Sequence, residues 1–281
     1  MYVSILPNTG TVLTTSTKAS IVNLLQDYNV VSVTPVFVDL ETTKIIPTIN
    51  FKYDANATSK TKEALSTLIT TAITNYSTTN LEKFEQVFRY SPFTTLIDEA
   101  DPAILSNITT IKISKTFKPT LASALKYTIS FSNPLYHPYD GYNKLLTGVI
   151  AGGILSSSGF TITGDANTYY LEDDGSGLVN AYYVSGTSKV YLTTGSVGTI
   201  DYLTGDIVLT KISIGSVANV DGATSTSLRL TVQTASNDVV PVRNQILQID
   251  LTNLSVTGTA DTIAAGAGDA GVNYNTTATY S

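Results

Sequence analysis

Along the chain, hydrophobic and polar positions change their rhythm near Pro119. Before it, helical and strand spacings alternate; after it, short alternating runs follow one another between turn residues. Residues 2–6 alternate weakly and predict a first strand. Ala19, Ile21, Val22, Leu24, Leu25 and Tyr28 lie close to one helical face, so a helix is expected over 18–28, capped by Thr17 and leaving at Asn29. Two β-branched runs, 30–38 and 44–53, flank the polar connector 39–43 and read as a hairpin. Pro35 and Pro47 each lack a backbone donor and should sit at a strand start or where the ladder faces outward. Ala64, Leu65, Leu68, Ile69, Ala72, Ile73 and Tyr76 form one stripe of a helix over 58–75, with Lys60, Lys62, Thr67, Thr70 and Thr74 on its wet face. Thr79 and Glu82 have capping-box spacing and predict a helix reaching Arg89. A short helix over 94–100 and a strand over 104–117 complete the series. The order predicts an α+β fold: a split β-α-β-like module over 1–119, with an antiparallel sheet and helices on one side.

Beyond Pro119, Leu125, Tyr127, Ile129 and Phe131 alternate and predict a half-buried strand over 124–132. Residues 133–159, rich in Pro, Gly, Tyr and Ser, have no clean period and read as a long arm. Strands are then expected near 160–163, 168–172, 178–184, 189–193, 198–202, 206–212, 226–233, 245–251 and 254–259. Asp-Gly and Thr-Gly turns separate several of them. Residues 120–264 therefore read as a mostly-β meander or sandwich domain. Residues 265–281 read as an extended C-terminal tail that lies along a neighbour or stays mobile.

Composition narrows the chemistry. The 281 residues include no cysteine, no tryptophan and a single histidine, His137. Disulfide scaffolds, thiolate metal sites and sites built on two imidazoles are excluded. A net charge of −6 argues against a broad phosphate-binding surface, so no nucleic-acid partner is expected. The apolar run 145–155 is too short and glycine-rich to span a bilayer, and the start carries no basic, apolar leader pattern; no membrane partner or signal is expected.

The candidate chemistry is sparse. Glu172, Asp173 and Asp174 precede Gly175, and Asp98, Glu99 and Asp101 cluster near Pro102. Paired carboxylates serve acid–base chemistry when burial separates their pKa values. Consecutive acids in a Gly-Ser turn read instead as a solvated hairpin tip. Asp165 through Gly175 lacks the order of a calcium loop. His137 has no nucleophile elbow to serve, and the glycine-rich runs lack phosphate-loop spacing. No catalytic residue, cofactor or metal site is expected, and the chain is read as no enzyme. Tyr136, His137, Tyr139 and Tyr142 crowd one loop and are the candidate protein-interface residues, because tyrosine brings large apolar area with a polar tip. Clustered tyrosines also stack on sugars, so a carbohydrate-binding or adhesive β-rich virion or surface protein is the competing reading.

Several separated segments resemble a known family. They are Val33-Thr34-Pro35-Val36-Phe37-Val38-Asp39, Asn50-Phe51-Lys52-Tyr53-Asp54, Ala72-Ile73-Thr74-Asn75-Tyr76-Ser77, Leu81-Glu82-Lys83-Phe84, Phe88-Arg89-Tyr90-Ser91 and Ile104-Leu105-Ser106-Asn107-Ile108, with later stretches at 198–205 and 241–247. In this order they resemble the baseplate J-like core and C-terminal half of the baseplate wedge subunit of contractile-tailed phages, especially myoviruses of cyanobacteria. Members of that family carry a long additional N-terminal half. The resemblance implies a structural virion protein of the tail baseplate, assembled in the host cytoplasm. It also implies self-association as a dimer within a ring, contacts to other wedge proteins, and rearrangement when the sheath contracts.

Overall fold

The computed structural model describes residues 2–7, 13–28, 36–137, 153–242 and 244–262. In chain order the elements are β1 (Tyr2–Val3), α1 (Thr15–Asp27), β2 (Val36–Phe37), β3 (Glu41–Tyr53), α2 (Lys62–Tyr76), a π-helical turn (Ser77–Leu81), α3 (Tyr90–Asp98), β4 (Ile104–Phe117) and β5 (Tyr127–Ser130). There follow β6 (Ser156–Ser157), β7 (Phe160–Ile162), β8 (Tyr169–Asp173), β9 (Leu178–Ser185), β10 (Ser188–Tyr191), β11 (Gly198–Asp201), β12 (Asp206–Leu209), β13 (Ile214–Val217), β14 (Leu228–Gln233), β15 (Gln245–Ile249) and β16 (Ser255–Ala260). The fold is α+β, with a helix-bearing module followed by a β-rich one.

α1 starts three residues earlier than expected. Thr14 caps it, accepting from the Thr17 N–H, and no residue of the helix is buried. The expected hairpin does not form. β2 pairs in parallel with β1, while β3 pairs with β4. The polar connector misled the reading because Glu41–Thr43 is already strand: these residues lie beside Gln245–Leu247 of β15, which supplies the ladder a hairpin partner would have made.

β3 is the central strand of the first sheet, ordered β15–β3–β4–β14–β6, with β16 also on β3. β4 runs antiparallel to β3 as expected; β14 runs antiparallel to β4, and β15 and β16 run parallel to β3, so the sheet is mixed. Pro47 explains how a proline survives mid-sheet. β15 covers the flank of β3 as far as Ile45, and β16 resumes at Thr48. The missing N–H falls in the gap, bridged by a detour over 250–254. β14, β15 and β16 all follow Pro119 in the chain, yet they complete the sheet begun by β3 and β4.

α2 and α3 cover one face. Leu65, Ile69 and Ile73 are fully buried beside Ile45, Ile49, Phe51, Phe93, Ile97, Ile111 and Ile113. Each such side chain contributes about 1.5–3 kcal/mol by leaving water. The buried stripe of α2 is narrower than its sequence stripe: Ala64 and Leu68 are exposed. Thr61, accepting from the Ala64 N–H, sets the start at 62 instead of 58. The expected helix from Thr79 to Arg89 is absent. Buried Ser77 donates to Glu82 Oε1 at 2.8 Å and accepts from the Ile249 N–H, so Glu82 serves Ser77 and not a capping box. α3 opens at Tyr90, whose N–H is capped across the fold by Asp238 at 2.9 Å.

The second sheet is antiparallel throughout, ordered β13–β7–β8–β9–β11–β12–β5, with β10 on β9. The meander expectation holds for β7 to β12, except that β10 and β11 both pair with β9; β6 and β13 were not expected. One buried cluster runs through both sheets, from Ile45 to Leu209.

Gly258 marks a close approach. A Cβ there would stand 2.4 Å from Cζ of buried Phe51. Gly258→Ala is expected to cost about 2 kcal/mol in urea unfolding through overpacking. Phe51→Leu should relieve part of that cost, so the double variant should fall short of the summed single losses.

Candidate interaction site

The candidate loop begins where residues 133–137 thread between the two sheets. Asn133 is buried; its Nδ2 donates to Phe131 O and Val240 O, and its Oδ1 accepts from the Val240 N–H, all within 3.0 Å. The Leu135 N–H donates to Tyr202 O at 2.7 Å on the second-sheet side, and the Tyr136 N–H to Gln233 O at 3.0 Å at the end of β14. The segment therefore ties one sheet to the other through the backbone donors of Leu135 and Tyr136.

His137 is exposed but not loose. Its ring stacks on Tyr202 with centroids 4.4 Å apart and planes at 18°. The Tyr202 hydroxyl donates to Asp173 Oδ2 at 2.6 Å, and Asp173 Oδ1 accepts from the Leu155 N–H at 2.8 Å. A Cβ on Gly153 would stand 1.9 Å from Asp173 Oδ1, so only glycine fits there. His137 and Gly153 therefore both lie against the same buried Asp173–Tyr202 pair. Burial first, then the bond to Asp173, pushes the Tyr202 phenol above its ordinary pKa.

Of the four candidate residues, the structure places Tyr136, half-buried, and His137 at this base; Tyr139 and Tyr142 lie outside the described residues. Nothing in the sequence singled out Tyr202 for this site, and Asp173 read only as part of an acidic turn. The solvated-tip reading of Glu172-Asp173-Asp174 is overturned for its first two members, which are 5% and 1% exposed. Neighbours on a strand face opposite ways. Glu172 accepts from Lys189 and the Tyr191 hydroxyl on one face, while Asp173 meets Tyr202 on the other. The two carboxylates do not converge, and each is taken up by donors. Asp173 was legible only as the last strand residue before a Gly-Ser-Gly turn, where a side chain can reach back to cap the turn N–H of Gly175.

The other acid cluster is also structural. Asp101 accepts from Lys60 Nζ at 2.7 Å and from the Ala103 N–H at 3.0 Å, and the Lys60 bond first, then the backbone bond, holds its pKa below the usual carboxylate value. Asn107 Nδ2 donates to Asp98 at 2.7 Å. Among the described residues no group of three or more His, Asp or Glu is placed to hold a metal ion. On the β8–β9–β10 face, Tyr170, Tyr182 and Tyr191 meet at tilts of 34° and 54°, and the Lys189 ammonium covers the Tyr182 ring at 4.4 Å. Nor is any described helix long and apolar enough to cross a membrane.

Residues 1–38 match the family model of baseplate structural protein gp6, C-terminal domain I, and residues 42–116 match that of C-terminal domain III of the same protein. The second match covers the stretch from β3 through α2 and α3 to β4. The chain is also similar to the baseplate wedge protein gp6 of Enterobacteria phage T4, 27% identical over 129 residues. That alignment takes in 45% of this chain and 20% of the T4 protein, so the chain spans about a fifth of the relative it matches. These matches relate the chain to the phage baseplate wedge proteins.

Proposed function

We propose that this chain is a structural subunit of a contractile-tail baseplate wedge, working by presenting fixed faces to other subunits and not by turning over a substrate. The observation that carries the reading is the ordered pair of matches to two C-terminal domains of a baseplate structural protein. The packing is in keeping with it. Two sheets share one core and are laced together by residues 133–137, so a load applied to one is passed to the other. Its partners on this reading are a second copy, paired within a ring, and other wedge proteins; nucleic acid, membrane and cofactor are not among them. Its location is the tail baseplate of the virion, and its movement accompanies sheath contraction. Kinship with the myoviruses of cyanobacteria is a narrower proposal, resting on the segments quoted above.

The test is co-expression with the other wedge proteins of the same phage. A complex that co-sediments and holds the chain at fixed stoichiometry is the expected result. A chain that stays out of every wedge complex while its partners assemble without it would overturn the reading.

A further inference from the structure

β16 has an open flank. Among the described residues it pairs only with β3, so the N–H and C=O groups of its other edge have no ladder partner. Unprotected edges of this kind invite a further strand. Beside it runs the face of α2 that the sequence presents as wet. Ser66, Thr67, Thr70, Thr71 and Thr74 each donate a hydroxyl to the carbonyl four residues back, at 2.8–2.9 Å. With the oxygens turned onto the helix backbone, the four threonines offer their methyl groups outward. With Leu251, Leu254 and Val256 they line a groove of about 380 Å³. A second hollow of about 320 Å³ continues along Val256, Thr257 and Gly258 to Lys62 and Glu63, whose charges offset one another.

An open strand edge beside a methyl-lined, electrically neutral groove fits an extended, uncharged peptide. The chain contains one. Of residues 263–281 only Asp269 is charged, and within them Val272, Tyr274, Thr276, Ala278 and Tyr280 alternate with Asn273, Asn275, Thr277 and Thr279. That is strand spacing with one side suited to the groove. The stretch between Thr262 and Val272 reaches roughly 33 Å when extended, more than the roughly 20 Å that six strand residues occupy. The geometry points to residues 272–280 of one copy adding as a strand to the free edge of β16 in a second copy, their Val, Tyr and Ala side chains against the α2 groove. This inference rests on the subunit reading above and names the contact through which copies join.

The experiment uses the full chain and two variants of it. Thr67→Lys with Thr71→Lys places charge in the groove at exposed helix positions; Tyr274→Pro with Ala278→Pro removes donors from the added strand. Sedimentation over a concentration series should show self-association of the parent and at least tenfold weaker association of each variant. In the associated parent, hydrogen exchange at residues 255–260 should slow, and a synthetic peptide of residues 272–280 should compete. A parent that is monomeric throughout with residues 255–260 protected would mean the strand returns to its own copy, and would overturn the inference. So would association that neither variant weakens, or that leaves residues 255–260 unprotected. A chain that enters wedge complexes without this contact sinks the inference and leaves the subunit reading standing; association through β16 with no wedge complex does the reverse.

Discussion

Replacing Asp173 with alanine is expected to lower the stability of the protein by about 3–5 kcal/mol, read as a fall in the urea midpoint. The side chain is 1% exposed and takes three donors: the Tyr202 hydroxyl and the N–H groups of Leu155 and Gly175. Alanine leaves all three facing a space too dry to replace the carboxylate. Asp173→Asn keeps an acceptor for the Leu155 N–H and should cost less than half as much. Tyr202→Phe removes one donor but leaves two, and should cost about 1–2 kcal/mol. Because Asp173 and Tyr202 share one bond, the double variant should cost less than the two singles together. An Asp173→Ala protein within 1 kcal/mol of the parent, roughly the net worth of one ordinary hydrogen bond, would show that the pair does not hold the base of the loop.

The second large effect is alkaline. Burial first, then the bond to Asp165, pushes the Tyr169 phenol up to about 12. Tyr182, Tyr191 and Tyr202 are also raised, each chiefly by burial, with Glu172 and Asp173 adding to the last two. A phenol whose folded pKa lies above its unfolded value binds its proton more tightly in the native state. Its contribution is fully present below about pH 10, the ordinary tyrosine value, and is lost as pH rises through the folded value. While the unfolded phenol is ionised and the native one is not, each group lowers stability by about 1.4 kcal/mol per pH unit. Stability should therefore hold to about pH 10 and then fall steeply toward about pH 12, with the last part of the phenolate absorbance, that of these four groups, appearing together with unfolding. Tyr169→Phe should flatten the fall. A phenolate titration that runs to completion before any loss of structure would contradict the assignment.

What the sequence disclosed depended on whether local spacing or distant partners set each element. The strand at 104–117 was legible residue for residue, because its apolar positions suit a long, nearly unbroken antiparallel pairing with β3. The buried stripe of α2 was legible, though Leu68 fits the spacing and lies outside the contact. The parallel pairings of β15 and β16 were not legible, since their partner lies some two hundred residues earlier and no turn signals it. Glu82 looked like a capping residue because spacing does not reveal Ser77 and Gln248, which claim it in space. At the candidate site, His137 and Tyr136 stood out by crowding, whereas Asp173 and Tyr202 were hidden. Their importance comes from burial and from partners distant in the chain, and an acidic run beside glycine reads as surface until its neighbours are known.

Pro47 has a mechanical consequence. The flank of β3 is covered by two short runs instead of one, and the seam between them falls where the ladder could not have had a rung. β15 is held past its own pairing by Gln245 against Glu41 and by the Ile249 N–H on Ser77. β16 leans on β3 and α2. Losing the rungs from Ala260 back to Ser255 would therefore leave the pairing of β15 with β3 intact, while uncovering the side of Phe51 against which Gly258 lies.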